Sequence, residues 1–243
     1  MRAIIIFGFP LGIGGHYKSS LAFFQGLKSY NYKFYLLISE ESNTEMISYY
    51  EEICENIHYT EKMGYSKYLM NSLIRKRLNK IFKEKEYDVI FAQDFVAMVA
   101  SLASSLKYNI PVIFTKAGGP INQYFPPKQM PTIVFSEELR EGLQKEYNHN
   151  PNKIKLIKER IDTGIYKPQK INKTINAGYK IPINDNYNIF MAVRFENAKM
   201  SYIKGILELI NSNKNFFKNT NLILAGDGSK KNLIIQLVNE INN

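Results

Sequence analysis

"RAIIIFGFPLGIGGHYKSSLAFFQGLKSYNYKFYLLIS" occupies residues 2–39. It reads as an apolar strand, a glycine-rich loop, a helix and a second apolar strand. The run "AIIIF" shows no polar alternation, which suits a strand buried on both faces. Behind the loop, Leu21, Phe24 and Leu27 recur at helical spacing. "KFYLLIS" is again continuously apolar. A strand–helix–strand unit of this kind predicts a parallel sheet. Four glycines, Gly8, Gly12, Gly14 and Gly15, fall within eight residues of the loop, more than a tight turn needs. Gly14 and Gly15 would let the backbone approach a ligand. The helix that follows points its N–H groups the same way, which suits an anion.

The alternation continues down the chain. "NTEMISYYEEICENI" predicts a helix, and "KYLMNSLIRKRLNKIFKEKEY" another, with Ile74, Leu78, Ile81 and Phe82 on one face. "DVIFAQ", "PVIFTKAGG" and "TIVFS" read as strands, and "FVAMVASLASSLKY" as a helix. Ser136 is placed to N-cap the helix "EELREGLQKEY", and "KIKLIKERID" gives a last short strand. The expected fold class is α/β: a doubly wound parallel sheet over residues 1–168. Residues 169–187 are polar, with proline and glycine, and read as a linker. The pattern restarts over 188–243 with two strands and two helices, about half of a second Rossmann-like domain. One side of that small sheet is expected to stay open.

Bulk properties narrow the function. The 243 residues are 45% hydrophobic and carry a formal charge of +10. Cys54 is the one cysteine, so no internal disulfide and no cysteine zinc cluster can form. His16, His58 and His149 lie far apart, and no metal is expected. No signal-peptide pattern and no apolar run of about 18 residues appears, which predicts a cytoplasmic protein. The positive charge favours an anionic partner, although lysine-rich composition accounts for part of it. No recognition helix, RNP-like strand or basic tail is present, so nucleic acid is not expected. The helix around 66–85 sets Arg75, Lys76, Arg77, Lys80, Lys83 and Lys85 beside its apolar stripe. It reads either as a surface for an anionic membrane, the inner face of the plasma membrane, or as a packed helix with a solvated basic face.

The glycine loop fails the Walker pattern, because Lys18-Ser19 follows Tyr17 rather than glycine. It meets two positions of G-x-G-x-x-G, at Gly12 and Gly14, but Tyr17 takes the third. Glu40 ends the second strand where a ribose-binding carboxylate would stand, so an NAD(P)-binding Rossmann protein stays open as an alternative. In the second domain, Arg194 leaves a strand end and Lys199 lies five residues later, with Lys204 in reserve. Two cations at the carboxyl end of a parallel sheet suit a diphosphate. Gly226-Asp227-Gly228 follows the next strand; its glycines permit a close turn, and Asp227 would meet a ligand or cap a helix.

Taken in order, these segments resemble the retaining GT-B glycosyltransferases of family 4. The GG loop corresponds to Gly14-Gly15, "D-v-i-h-a-h-d" to "DVIFAQD" (88–94), and "P-v-v-x-T" to "PVIFT" (111–115). "S-e-x-l-x-x-x-l" corresponds to "SEELREGL" (136–143), and "v-i-p-n-G-I-D-x-x-x-F-x-P" to "LIKERIDTGIYKP" (156–168). "v-G-R-l-x-x-x-K" corresponds to "AVRFENAK" (192–199), and "G-D-G" to residues 226–228. The resemblance implies a two-domain enzyme that needs no metal or cofactor. Its substrate would be a nucleotide sugar, UDP- or GDP-linked, and its acceptor a glycan or lipid-linked glycan in cell-surface polysaccharide synthesis, such as lipopolysaccharide or capsule. Arg194 and Lys199 would hold the donor diphosphate and stabilise the leaving group. Gly14-Gly15 would meet the same phosphate across a cleft. His16, Gln93, Asp94, Gly118 and Gly119 would lie on the acceptor side.

The chain also departs from the family. Phe91 and Gln93 replace two histidines, Ala117 stands near another, and Val193 replaces the glycine before Arg194. The family's paired glutamates, separated by seven residues, lie beyond the "GDG" helix, and Asn243 comes first. Glu138 and Glu146 share that spacing but fall on a first-domain helix. The resemblance therefore implies a truncated donor domain and weak or absent transfer by residues 1–243. A non-catalytic sugar-nucleotide-binding or scaffold module is the alternative.

Overall fold

The computed structural model describes residues 2–8, 11, 14–60, 67–117, 125–158, 160–161, 163–164, 167–168 and 186–242. The chain divides into two compact units, Met1–Lys167 and Pro168–Asn243.

The first unit is a seven-stranded parallel sheet. Its strands are β1 (Arg2–Phe7), β2 (Tyr32–Ser39), β3 (Cys54–Thr60), β4 (Val89–Ala92), β5 (Val112–Lys116), β6 (Thr132–Val134) and β7 (Ile154–Leu156). Helices α1 (Gly15–Lys28), α2 (Thr44–Glu51), α3 (Lys67–Glu84), α4 (Phe95–Tyr108) and α5 (Glu137–Lys145) connect them. The order across the sheet is β3-β2-β1-β4-β5-β6-β7. The chain thus runs outward from β1 to one edge, then returns to β1's other side.

Alternation along β1 fills two cores. Ile5 and Phe7 face α3 and α4 with Leu37, Ile74, Leu78, Ile90 and Met98. Ile4 and Ile6 face α1 and α2 with Leu21, Phe24, Leu36, Ile38, Met46 and Tyr50. Period-2 alternation therefore exists in β1, but both faces are apolar because both are covered. Ile74, Leu78, Ile81 and Phe82 of the apolar stripe of α3 are all buried, and Leu73 is half-buried.

The helix expected over "NTEMISYYEEICENI" ends early. α2 stops at Glu51, and Cys54–Thr60 form β3, paired in parallel with β2. Two acidic residues at the helix end oppose its dipole, and no basic residue occupies the last turn. β3 is an edge strand, half-exposed, so it lacks the continuous apolar run of its neighbours.

His149 is 2% exposed beneath this sheet's far edge. Its Nε2 lies 3.4 Å from the Thr132 hydroxyl, and its Nδ1 lies 3.3 Å from the Asn150 carbonyl. Burial pushes the imidazole below its usual range. The unfolded chain therefore takes up this proton first as pH falls below about 6.5, and stability falls with it. Above that pH the group contributes no slope. Thermal melts from pH 7 to 5 should decline, and His149→Gln should flatten the decline. A residual slope is expected from His58, whose pKa burial also lowers. Parallel curves for parent and variant would refute this assignment.

The second unit pairs β8 (Tyr187–Ala192) in parallel with β9 (Thr220–Ala225). Helices α6 (Met200–Ser212) and α7 (Lys231–Asn242) cover one face. Phe195, Met200, Ile203, Leu207 and Ile234 form its buried core. The other face leaves Phe190 62% exposed.

Candidate functional site

In a doubly wound sheet the ligand crevice lies beyond the carboxyl ends of the strands, where the strand order reverses. Here that point falls between β1 and β4. Gly8 ends β1 and donates its N–H to the Leu37 carbonyl, 3.2 Å away. A Cβ on Gly8 would come within 3.3 Å of Leu11 and of Tyr17. Gln93 follows β4, and its N–H reaches the Phe7 carbonyl at 2.8 Å. Chain ends from β1 and β4 are thus bound directly to each other.

Tyr17, in the first turns of α1, hydrogen-bonds Asp94. Burial and the Asp94 charge push its phenol well above the usual range. Asp94 also caps α4, accepting from the Ala97 N–H at 2.9 Å. The Tyr50 hydroxyl lies 3.1 Å from both the Tyr17 carbonyl and Gln93 Oε1. A hydroxyl has one proton, so both contacts are satisfied together only when Gln93 turns its amide and donates to Tyr50. The His16 ring packs on Tyr17, tilted by 40°, with ring centroids 3.8 Å apart. The sequence candidates Gly14, Gly15, His16, Gln93 and Asp94 are therefore neighbours. Gln93 is 2% exposed and belongs to the floor, whereas Gly15 is exposed. Gly118 and Gly119 lie outside the described residues.

α1 begins differently from α2, α4 and α5. Those three are capped by Asn43, Asp94 and Ser136. Gly14 caps α1 with no side-chain bond, and no acidic residue occupies the first turn. With no acidic side chain at its positive end, such a helix start suits an outside anion.

Three further residues had no clear signal in the sequence. Lys116 ends β5 at this same edge and is 4% exposed; burial holds its ammonium below the usual lysine range. Tyr50 closes the network from α2. Arg160 stands where the family pattern has glycine. Its N–H donates to the Ser19 hydroxyl at 2.9 Å and its Nε–H to the Ser19 carbonyl at 3.2 Å. Its guanidinium lies 5.1 Å from the Phe23 ring and 5.0 Å from Phe135, in cation–π range.

In the second unit, the candidates again meet at carboxyl ends. Arg194 is exposed in the loop after β8, and Lys199 ends a 3-10 turn, Asn197–Lys199, before α6. Lys199 Nζ lies 5.5 Å from the Tyr202 ring. Lys204 is exposed on α6. The glycine turn after β9 packs on this loop: Phe195 N–H donates to the Asp227 carbonyl at 2.9 Å, and Lys230 N–H to the Phe195 carbonyl at 2.8 Å. Gly228 has φ +147°, and a Cβ there would meet the Phe195 carbonyl at 2.6 Å. Asp227 does not cap α7 through its side chain; it accepts from the Gly228 N–H at 2.9 Å and lies 3.5 Å from Lys231.

The basic face of α3 is exposed at Arg75, Lys76, Lys80 and Lys83. Lys85 is engaged with Tyr35, over its ring and at its hydroxyl. Among the described residues, no helix is long and apolar enough to cross a membrane.

The sequence profile described as "Glycosyl transferase 4-like" matches residues 15–148. No curated protein matches the sequence. Among solved structures, HepE from Anabaena, crystallised with UDP and glucose, superposes with TM-score 0.74 at 12% identity over 100% of this chain. A glycosyltransferase from Rickettsia africae gives 0.70 at 15% identity over 99% of the chain. The chain spans 67% and 65% of those two proteins. UDP-GlcNAc 2-epimerase from Neisseria meningitidis, bound to UDP-GlcNAc, gives 0.65 at 13% identity, covering 99% of this chain and 70% of its own. At such identities the likeness shows the GT-B-like α/β fold alone, and the fold serves more than one chemistry.

Proposed function

This chain belongs to the glycosyl transferase 4-like family, and we propose that it forms part of an enzyme that moves a sugar from a nucleotide-sugar donor to a glycan or lipid-linked acceptor. The anomeric C–O bond to the diphosphate breaks, the acceptor hydroxyl oxygen bonds to that carbon, and its proton passes to the departing nucleoside diphosphate. Configuration at the anomeric carbon is retained. One observation carries the reading: Arg194, Lys199 and the glycine turn 226–228 share one end of a parallel strand pair. Negative charge grows on the diphosphate as it leaves, and fixed cations there lower the barrier without a metal. Arg194 supplies a planar fork and Lys199 a point charge. On the first unit by itself, Gly14-Gly15 at the uncapped start of α1 suits an anionic group. His16 faces the acceptor, and Asp94 and Gln93 hold the floor beneath it; Gly118 and Gly119 are further candidates for acceptor contact. Lys204 is the reserve cation.

UDP is the first ligand to test, because HepE was crystallised with it. Arg194→Ala should weaken UDP binding about tenfold or more, and Lys199→Ala somewhat less. Arg194 is exposed, so its variant should melt with the parent. Calorimetry on the 243-residue chain, with UDP, UDP-glucose, GDP and NADH, decides the matter. Unchanged UDP affinity in Arg194→Ala sinks the donor assignment, and tight NADH binding favours a dinucleotide-binding protein instead. The acceptor is read as lipid-linked because Arg75, Lys76, Lys80 and Lys83 form an exposed basic face beside the first unit's sheet. Such residues each gain about 1 kcal/mol near an anionic bilayer. Co-sedimentation that ignores the anionic lipid fraction argues against that part.

A further inference from the structure

Glu196 sits between the two proposed donor cations. Its N–H donates to the Arg194 carbonyl at 2.9 Å, and its own carbonyl accepts the Lys199 N–H at 2.9 Å. Its side chain crosses to the neighbouring loop. Oε2 accepts the Ser229 hydroxyl proton at 2.8 Å, and Oε1 accepts the Ser229 N–H at 3.3 Å. Gly228 leaves room for this crossing, since a Cβ there would stand 2.8 Å from Oε1.

We propose that Glu196 is a positioning residue: by clamping Ser229 it locks the loop carrying Arg194 and Lys199 onto the glycine turn and so presets both cations for the donor diphosphate. The proposal rests on the donor reading given above. Without the clamp, the two loops keep their backbone bonds and the packing of Phe195, but lose the side-chain bonds that join the exposed Glu196 and Ser229. Each binding event would then carry the entropy cost of ordering them. A carboxylate beside a diphosphate site also repels its ligand, so its presence there needs a mechanical reason. The hydrogen bonds from Ser229 hold this carboxyl below the usual range, with Arg194 and Lys230 adding to the effect. The clamp is therefore fully charged at neutral pH.

Two neutral variants separate charge from clamp. Glu196→Gln removes the charge but keeps an acceptor for Ser229. Glu196→Ala removes both. Amide exchange in residues 193–200 and 226–231 of the full chain should stay near the parent in Glu196→Gln and become several-fold faster in Glu196→Ala. UDP should bind Glu196→Gln at least as tightly as the parent, and Glu196→Ala on the order of threefold to tenfold more weakly than Glu196→Gln. Adding Ser229→Ala to Glu196→Ala should change neither readout further. Equal exchange and equal affinity in the two variants overturn the proposal. Should the parent bind no UDP, or Arg194→Ala bind it normally, the donor reading fails. The exchange comparison then decides the clamp on its own: a difference between the variants upholds it, and identity overturns it.

Discussion

Gly226→Ala is expected to unfold the C-terminal unit while leaving the N-terminal unit folded. A Cβ at this position would stand 2.0 Å from the Val193 carbonyl oxygen and 2.9 Å from a ring carbon of Phe195. The oxygen is backbone and cannot rotate away. It belongs to a loop held by Val193 N–H to the Ala225 carbonyl at 3.0 Å and by Phe195 N–H to the Asp227 carbonyl at 2.9 Å. Relieving the clash means separating the two loops, and Phe195, 5% exposed, leaves the core with them. Overpacking with backbone displacement costs about 3 kcal/mol or more. Among the described residues of this unit the core cluster has five buried apolar side chains, which leaves little to spare. Gly205→Ala is the control: its Cβ would meet nothing within 4 Å on α6, so it should stabilise by roughly 0.5–1 kcal/mol. Amide exchange reads both outcomes. Native protection across 187–242 in Gly226→Ala would show that the loops tolerate separation and that the turn is not built on contact.

That turn also shows how far the sequence could be read. "AGDGS" signalled a tight turn after a strand, and a turn is what forms. Its reason was hidden, because the partner loop lies some thirty residues earlier and nothing local names it. Glu196 and Ser229 are ordinary surface residue types and acquire a role only once the loops meet. In the first unit, six of seven strands were legible, most of them because buried parallel strands are continuously apolar; β7, Ile-Lys-Leu, alternates instead. β3 was missed for the converse reason, since an edge strand needs one covered face at most. Arg160 illustrates a third limit. Nothing in the sequence singled it out, because its hold on Ser19 needs α1 and the segment after β7 side by side. Phe91 and Gln93 looked alike as lost histidines, and the structure separates them: Phe91 enters an aromatic cluster, Gln93 the polar network under the crevice.

That cluster carries the largest effect expected in the first unit, from Phe24→Ala. Phe24 is 1% exposed. Its ring centroid lies 4.8 Å from Phe91, edge-on at 83°, and 5.3 Å from Phe34. It thereby fixes α1 to β4 and β2 together, on either side of β1. Truncation leaves a cavity at the junction of three elements and should cost about 3–5 kcal/mol. For a unit of this size that lowers the melting temperature by roughly 10 °C. Phe24→Leu refills most of the volume and should lose less than half as much. Phe91→His, which restores the family's residue, places an imidazole among the apolar side chains of Phe23, Phe24 and Ile133. An unsatisfied polar group in such a setting costs about 1–3 kcal/mol, so the reversion should destabilise rather than restore a site. Melting of all three variants within about 1 °C of the parent would mean that α1 is held elsewhere. The Gly14-Gly15 loop, placed by the first turn of that helix, would then need another anchor. The expected order, Phe24→Ala lowest, makes the aromatic contact between α1 and β4 the support on which the crevice is built.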